Sequence, residues 1–290
     1  MDILVTNKSE DYELLDSGDG YKLERYGSVV ISRPDPQILW EKSLLKSEWD
    51  KALAFFTRSG ITGKWKIVGE TNKSWSISLN KLTFFLSFQP SKHLGVFPEQ
   101  FSQWIWLEEK IKKEVDSGRP IKVLNLFGYT GGASLVCARA GAEVCHVDAS
   151  KFAVDLAHQN MKASGLTNSQ IRFIVDDVRK FIEREIKRGN KYDVVIMDPP
   201  VYGKGAKAEV WKIEKDLQPL LSRIGNIISS TPVAIVLNGY ASVYSSTTYA
   251  QILSYAVSGL KGEIFHGELA IRETSSNRLL TCGIFARWSK

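Results

Sequence analysis

The sequence predicts an α/β protein in which a mostly parallel sheet is wound with helices on both faces, with a smaller α+β module ahead of it. Three observations carry this. From residue 122 onward, apolar strand-like runs alternate with helical patterns, and such alternation specifies a parallel sheet. The first of these runs lies in KVLNLFGYTGG (122–132); it stops abruptly at a turn and passes at once into a small-residue helix. The last two runs, 263–271 and 279–288, are joined only by ETSSNR. That link is too short for a parallel crossover, so the pair must be an antiparallel hairpin.

The elements follow in chain order. The first twenty or so residues read as polar and turn-rich, with a turn at SGDG (17–20). Residues 21–32, YKLERYGSVVIS, read as a hairpin around Tyr26 and Gly27. Asp35 is placed to cap a helix with Pro36 at its first position, and the expected helix runs through Trp40, Leu44, Trp49, Leu53 and Phe56. Runs of β type follow at 65–68, 75–79 and 82–88. Residues 1–91 are therefore expected to form an aromatic-rich α+β module, most of its rings used for packing, with a second domain over 92–290. KHLGVFPEQ (92–100) connects the two, and Pro98 opens an amphipathic helix that continues to residue 115. Strand and helix then alternate at 122–127 and 130–140, 143–147 and 150–164, 171–175 and 178–188, 193–197 and 213–229, and 233–237 and 247–258. With the final hairpin this makes a seven-stranded sheet with one reversed strand.

The bulk composition narrows the function classes. The N-terminal MDILVTNKSEDYE is acidic and lacks the apolar core of a signal peptide. No apolar run approaches the ~20 residues that a membrane span requires. Cys137, Cys145 and Cys282 sit singly in apolar segments without CxxC spacing, so neither a disulfide framework nor a zinc site is expected. A cytoplasmic protein with no membrane or metal partner is expected, as a monomer or homodimer. The net charge of +6 is unevenly spread: residues 1–118 hold 16 Lys+Arg and 17 Asp+Glu, whereas 119–290 hold 22 and 15. The basic excess lies wholly in the half with the ligand motifs, which favours a polyanionic substrate over mere solubility charge.

A strand that feeds a helix through a tight turn gathers unpaired backbone N–H groups where a ligand can dock. Gly131 and Gly132 open the helix after the turn, and Thr130 is its expected cap. Acidic residues then stand at successive strand ends: Asp148, then Asp176 with Asp177, then Asp198. A single such aspartate is as readily a helix N-cap, but three in succession point to a nucleotide-like ligand across the strand ends. Asp198, Pro199 and Pro200 form a stiff extended loop that can offer a carboxylate and backbone acceptors to a nucleobase amine. The pattern reads as an S-adenosylmethionine (SAM) dependent methyltransferase, whose seven-stranded sheet characteristically ends in a reversed strand. Where the generic pattern of such enzymes has glycine, this chain has Phe127 and Tyr129.

VLNLFGYTGG resembles the NLFxYTGG variant of the 23S ribosomal RNA large-subunit methyltransferase family, related to the C5-cytosine methyltransferases and the 7-methylguanine module. KHLGVFPEQ, HVDAS (146–150), VDDVRKF (175–181), YDVVIMDPP (192–200) and DSGDGYKLERYGSVV (16–30) extend the resemblance over roughly residues 10–290. No counterpart of that family's N-terminal RNA-binding PUA domain is expected. The resemblance implies that Phe97, Gln100, Asn125, Phe127, Tyr129, Thr130, Gly131 and Gly132 surround the methionine part of SAM. It further implies Asp148, Ala149 and Ser150 at the ribose, with Asp148 accepting both hydroxyls, and Asp176 and Asp177 at adenine. Asp198, Pro199, Pro200 and Asn238 would be catalytic. After them, Tyr202 and Trp211 are candidate base-stacking residues, and Lys204, Lys207, Lys212 and Lys215 lie where a phosphate backbone would pass, although a solvated lid reads equally well.

One departure bears on the product. Carbon-5 methylation of cytosine needs a cysteine thiolate, which the family's cysteine-bearing members place just after the fifth strand. This chain has LNGY (237–240) there, with Asn238 at or near the site, and Cys282 reads as a packed residue. Transfer to a base nitrogen of RNA, most of all 23S ribosomal RNA, is the expected activity. The competing readings are SAM-dependent methylation of a small molecule or protein side chain, a nicotinamide-dependent oxidoreductase, and a non-catalytic RNA-binding relative. The absence of GxGxxG and the terminal hairpin argue against the oxidoreductase.

Overall fold

The computed structural model describes residues 1–59, 62–68, 72–205, 209–240 and 244–290. The chain forms two compact units. One comprises Met1–Leu4, Ser102–Glu268 and Gly283–Lys290, and the other Val5–Phe101 and Leu269–Cys282.

The first unit is built on the parallel sheet. Its strands are β9 (Lys122–Leu126), β10 (Glu143–Asp148), β11 (Ile171–Val175), β12 (Val194–Met197) and β15 (Ala234–Tyr240), interleaved with α3 (Gly132–Arg139), α4 (Lys151–Ala163), α5 (Val178–Arg188), α6 (Ile213–Ile224) and α7 (Ser246–Ala256). The helix α2 (Phe101–Asp116) precedes them, and β16 (Glu263–Arg272) and β17 (Leu279–Ser289) close the chain. The sheet order is β1-β16-β17-β15-β12-β9-β10-β11, with β17 antiparallel to β15. The class is the predicted one, but the sheet has eight strands rather than seven, because β1 (Asp2–Thr6) adds itself beside β16. That addition depends on Gly267, where a Cβ would lie 1.7 Å from the Asp2 carbonyl oxygen.

Local chemistry explains where the helices begin and end. The Ser150 hydroxyl caps α4 by accepting from Ala153 N–H at 3.2 Å. Asp177 caps α5, which ends on Gly189 at φ 70° after Lys187 and Arg188. The two faces of the sheet differ. Leu124, Leu126, Val147, Val195, Met197, Ile235 and Leu237 point toward α5, α6 and α7 and form one apolar core. Asn125, His146 and Asn238 are buried polar residues on the opposite face, toward α2 and α3.

The second unit carries a five-stranded sheet in the order β2-β3-β4-β5-β6, from β2 (Tyr12–Gly18), β3 (Tyr21–Tyr26), β4 (Val29–Pro34), β5 (Ala54–Ser59) and β6 (Thr62–Ile67). A ribbon of β7 (Ser74–Leu79) and β8 (Leu82–Ser87) accompanies it. The turn expected at SGDG forms at Asp19 and Gly20, joining β2 to β3, but the residues before it are strands β1 and β2 rather than turns. The expected long helix is reduced to α1 (Lys46–Trp49), and residues 54–59 are a strand. The capping turn does form, with Gln37 N–H donating to Asp35 Oδ1 at 3.2 Å. Propagation fails because the buried Asp16 carboxylate takes the N–H groups of Ser43 and Leu44 and the Trp49 indole N–H. Trp65 and Trp75 each pack a tilted ring on Phe88, as expected of aromatics used for packing.

This unit has an ionic core. Glu24, fully buried, accepts from Arg33 Nε at 2.6 Å and from the hydroxyls of Tyr12 (3.0 Å) and Tyr26 (3.1 Å). Lys22 bridges Glu24 at 3.8 Å and Asp35 at 3.3 Å. Burial acts to raise the Glu24 pKa, but Arg33 and Lys22 outweigh it and hold the carboxyl at about 2. A carboxyl depressed in the folded state stabilises it above the ordinary glutamate range, and that contribution is lost as the pH falls toward 2. Glu24→Gln is expected to destabilise the unit by about 3–5 kcal/mol, since it leaves Arg33 buried without its counter-charge. It should also flatten the acid limb of stability; urea titrations between neutral and acid pH measure both.

Candidate functional site

The site is built from the turn between β9 and α3. Its backbone is left-handed at two residues that carry side chains: Phe127 has φ 57° and Tyr129 φ 49°. Such conformations are rare outside glycine and cost about 1–2 kcal/mol each. Those are the positions where the generic pattern has glycine, so the turn keeps its backbone shape while the residue types change. Gly128 N–H donates to Val147 O at 3.1 Å, and Tyr129 N–H to Asp148 Oδ2 at 2.9 Å. The Phe127 ring meets Trp211 edge-on at 4.9 Å. The glycines that remain are sterically required: a Cβ on Gly128 would lie 2.4 Å from the His146 ring, and one on Gly132 2.2 Å from Trp104 Cζ2.

Thr130 is not the cap of α3. That position belongs to Gly131 at φ 94°, which has no side chain to cap with, while Thr130 is buried and its carbonyl accepts from Asn160 Nδ2 at 2.9 Å. Gly131 therefore supplies no side-chain cap at the start of α3, a position at which a helix can receive a carboxylate or phosphate. Asn125 lies in the core below the turn, donating to Ser134 Oγ at 2.8 Å, with Ser134 Oγ 2.9 Å from His146 Nδ1. The Ser134 hydroxyl thus links the Asn125 amide to the His146 ring. Burial holds His146 neutral, with its pKa lowered to about 4.

Asp148 closes β10 with both oxygens engaged, Oδ2 by Tyr129 N–H and Oδ1 by Ser150 N–H at 2.8 Å. Burial raises its pKa despite those two bonds. Ala149 separates it from the cap of α4. Asp177 accepts from Arg179 N–H at 3.0 Å, from Lys180 N–H and, bidentately, from the Arg179 guanidinium. Burial opposes ionisation of Asp177, yet these donors hold its pKa below the ordinary range. Asp176 accepts from Asp177 N–H and pairs with Arg184. Sequence reasoning passed over two exposed apolar side chains near these strand ends, Phe152 and Val175, which lack the acidic signature that guided it.

Asp198 follows β12, half-buried, with Pro199 buried and Pro200 exposed. Parallel pairing sets Met197 opposite Leu237, so Asp198 and Asn238 are the next residues on adjacent strands. β15 continues to Tyr240, which places Asn238 inside the strand instead of after it. Gly239 admits the Tyr249 hydroxyl, 2.3 Å from where a Cβ would stand.

Beyond the prolines, Tyr202–Lys204 (β13) and Val210–Lys212 (β14) form an antiparallel ribbon. Tyr202 and Lys204 are exposed, and Lys212 is half-buried. Trp211 does not present a stacking surface: it is buried, its indole N–H donating to Pro200 O at 2.7 Å. It serves as a buttress for the proline loop because strand alternation turns it inward with Gly203. Arg179 ties the ribbon down through Val210 O at 3.1 Å and Asp216 at 2.9 Å. Lys207 lies outside the described residues. Phe97 and Gln100 belong to the second unit, Phe97 with its ring 5.0 Å from His93 and Gln100 buried on a short 3-10 turn, Pro98–Gln100. Cys137, Cys145 and Cys282 are all buried and unbridged. Among the described residues there is no metal-ligating cluster and no helix long and apolar enough to cross a membrane.

Gly132→Ala is expected to lower stability by about 1–3 kcal/mol, because Trp104 cannot retreat without displacing α2. Chemical denaturation measures it, and Gly132→Ala combined with Trp104→Leu should recover part of the loss.

Comparison with known proteins agrees with this geometry. The chain aligns over its whole length with a crystal structure of a SAM-dependent methyltransferase from Agrobacterium tumefaciens, at 39% identity and a TM-score of 0.94, covering 93% of that chain. The SMU.776 protein complexed with SAH shares the fold at a TM-score of 0.71 and 20% identity, over 97% of this chain and 76% of that one. Among curated proteins, ribosomal RNA large subunit methyltransferase I of Aeromonas salmonicida is 41% identical over 90 residues, 31% of this chain and 22% of the relative. That of Klebsiella pneumoniae (strain 342) is 42% identical over 82 residues, 28% of this chain and 20% of the relative. The chain thus spans only about a fifth of the length of these two relatives. Residues 51–241 match the model of the S-adenosylmethionine-dependent methyltransferases, which sets the nicotinamide alternative aside, and the chain belongs to that family.

Proposed function

We propose that this methyltransferase transfers the methyl group of SAM to a base nitrogen in RNA, with 23S ribosomal RNA as the substrate. The observation that carries the nitrogen acceptor is the pair of Asp198, just after β12, and Asn238, on the neighbouring strand β15, with no cysteine at either position. A carboxylate and an amide can hold and orient a base, but neither adds to carbon 6 of a pyrimidine as a thiolate would. The large-subunit ribosomal RNA enzymes among the relatives, the basic C-terminal half and the exposed Tyr202 and Lys204 on the ribbon support RNA.

Bound SAM supplies an electrophilic methyl group. The residues present suit it: the uncapped start of α3 for its carboxylate, Asp148 for the ribose hydroxyls, and Phe152 and Val175 as apolar walls for adenine. Asp177 can receive an adenine amine more readily at Oδ2, which accepts from Arg179 Nη2 at 2.8 Å, than at Oδ1, which already accepts three N–H groups. At the acceptor side, Asp198 accepts a hydrogen bond from the base amine and aligns the nitrogen. Trp211 stiffens the loop that carries Asp198 by holding the Pro200 carbonyl. Alignment by Asp198 and exclusion of water supply most of the barrier reduction.

Labelled SAM incubated with undermodified ribosomal RNA, followed by nucleoside mass spectrometry, tests the proposal. An N-methylated nucleoside is expected; 5-methylcytosine would overturn the nitrogen acceptor, and unlabelled RNA the substrate class. Asp198→Ala should lower kcat by roughly 10²-fold or more while SAM affinity stays nearly constant. The affinity for SAM should depend on Asp148. Its raised pKa lies above the ordinary aspartate value of about 4, and only the ionised carboxylate accepts two hydroxyls. SAM affinity is therefore expected to rise with pH through that raised pKa and then level off. Calorimetry should show the step, and Asp148→Asn should remove it.

A further inference from the structure

Helix α5 begins with Arg179 and Lys180 and has no acidic residue in its first turn. The partial positive charge at a helix N-terminus disfavours cations there, so local helix chemistry does not explain Arg179. The cap does not need its side chain either, because Asp177 Oδ1 accepts from the N–H groups of Arg179 and Lys180 at 3.0 and 3.3 Å. The guanidinium instead reaches in two directions. Its Nε and Nη2 grip Asp177 Oδ1 at 3.2 Å and Oδ2 at 2.8 Å, while its Nη1 donates to Val210 O at 3.1 Å and Asp216 Oδ1 at 2.9 Å. The other oxygen of Asp216 accepts from Lys212 N–H at 2.7 Å, where β14 passes into α6.

Val210 and Lys212, the residues so held, flank Trp211. The Trp211 ring meets Phe127 of the turn after β9, and its indole N–H holds the Pro200 carbonyl. One planar guanidinium therefore joins the carboxylate that follows β11 to the ribbon that supports the Asp198 loop. The side chains of Arg179, Asp177 and Asp216 are 25%, 9% and 21% exposed, so solvent screens these pairs only in part. The neighbouring pair of Lys180 and Glu209, at 2.6 Å, ties the same ribbon through a more exposed lysine.

Resting on the assignment of Asp177 to the adenine amine, we propose that Arg179 is a positioning residue that couples the adenine pocket to the acceptor-side ribbon. The guanidinium sets the plane of the Asp177 carboxylate and so the direction in which Oδ2 meets the amine. Adenine that fixes Asp177 fixes Arg179 with it, and through Arg179 the Val210 carbonyl and Asp216. Such coupling is reciprocal: a ribbon held by Arg179 strengthens SAM binding, and bound SAM strengthens the hold on the ribbon. The loop that carries Asp198 is then firmest when the methyl donor is in place, which favours loading of SAM before the acceptor.

Asp216→Asn tests the coupling from the ribbon side, and SAH serves as the probe. Calorimetry should show SAH affinity lowered roughly 5- to 20-fold in Asp216→Asn and in Arg179→Met. The double variant should lose little more than Arg179→Met alone, because both changes cut one link. Lys180→Ala, which removes the exposed pair and leaves Arg179 in place, should change SAH affinity by less than about twofold. In the whole chain, SAH should slow backbone hydrogen exchange over 202–205 and 209–213 in the wild type and much less in Arg179→Met. Wild-type SAH affinity in Asp216→Asn, an equal loss in Lys180→Ala, or the same slowing of exchange in Arg179→Met would each overturn the coupling. If Arg179→Met does not fold, Asp216→Asn takes its place in the exchange measurement. Asp177→Asn separates the two readings. Unchanged SAH affinity in that variant would remove adenine from Asp177 and the coupling with it, whereas weakened binding there beside wild-type binding in Asp216→Asn would refute the coupling alone.

Discussion

The turn between β9 and α3 is held by a carboxylate at the end of the neighbouring strand, β10. Phe127 and Tyr129 occupy backbone conformations that cost free energy for any residue with a Cβ, and the N–H of Tyr129 donates to Asp148. The residue that ends β10 thus fixes the geometry of the turn after β9, and register places it there: Val147 of β10 lies opposite Leu126. On the proposed assignment, the side chain that shapes the turn is also the one offered to the ribose, so loss of Asp148 would release a strained turn.

The rest of the first unit follows from the different chemistry of the two sheet faces. The face toward α5, α6 and α7 is filled with aliphatic residues, as expected of a parallel sheet covered by helices. The other face carries Asn125, His146 and Asn238, each with a partner from α2 or α3: Ser134 for the first two and Gln103 for the third. Unpaired buried polar groups are costly, so such a face is tolerated only when each hydrogen bond has one consistent direction. On this face Arg287, which can only donate, orients the Gln103 amide, whose nitrogen then donates to Asn238. The apolar face gives stability, and the polar face gives fixed orientations close to the strand ends.

The second unit uses the same principle with full charges. Glu24, Arg33, Lys22 and Asp35 are all buried on β3, β4 and the loop after them, paired with each other and with tyrosine hydroxyls. Asp16 plays the corresponding role for the loop leading to α1, accepting its N–H groups and pairing with Arg278. Charges in a core add less stability than apolar packing of the same volume, but they penalise every arrangement that leaves one unpaired.

Residue pattern alone determined the winding of the larger sheet, its reversed last strand, the SAM turn and the acids at its strand ends. These depend on apolar runs of one length, helix starts with Ser150 or Asp177, and a link too short for a crossover, all of which are local along the chain. Tertiary structure decided the rest, because the forces involved act between residues far apart in sequence. The residues of β2 read as polar turns, and the pattern of β3 does not show that Glu24 is buried until Arg33 and Tyr12, nine and twelve positions away, pair with it. A helix through Trp40 and Leu44 fits the local spacing, but Asp16 takes the N–H groups at Ser43 and Leu44. Trp211 looks like a stacking residue by type and becomes a buttress because its strand turns it inward onto Pro200. The sequence shows that no cysteine stands where Asn238 does; only the fold buries that amide and sets its oxygen to accept from Gln103, a residue 135 positions away in the chain.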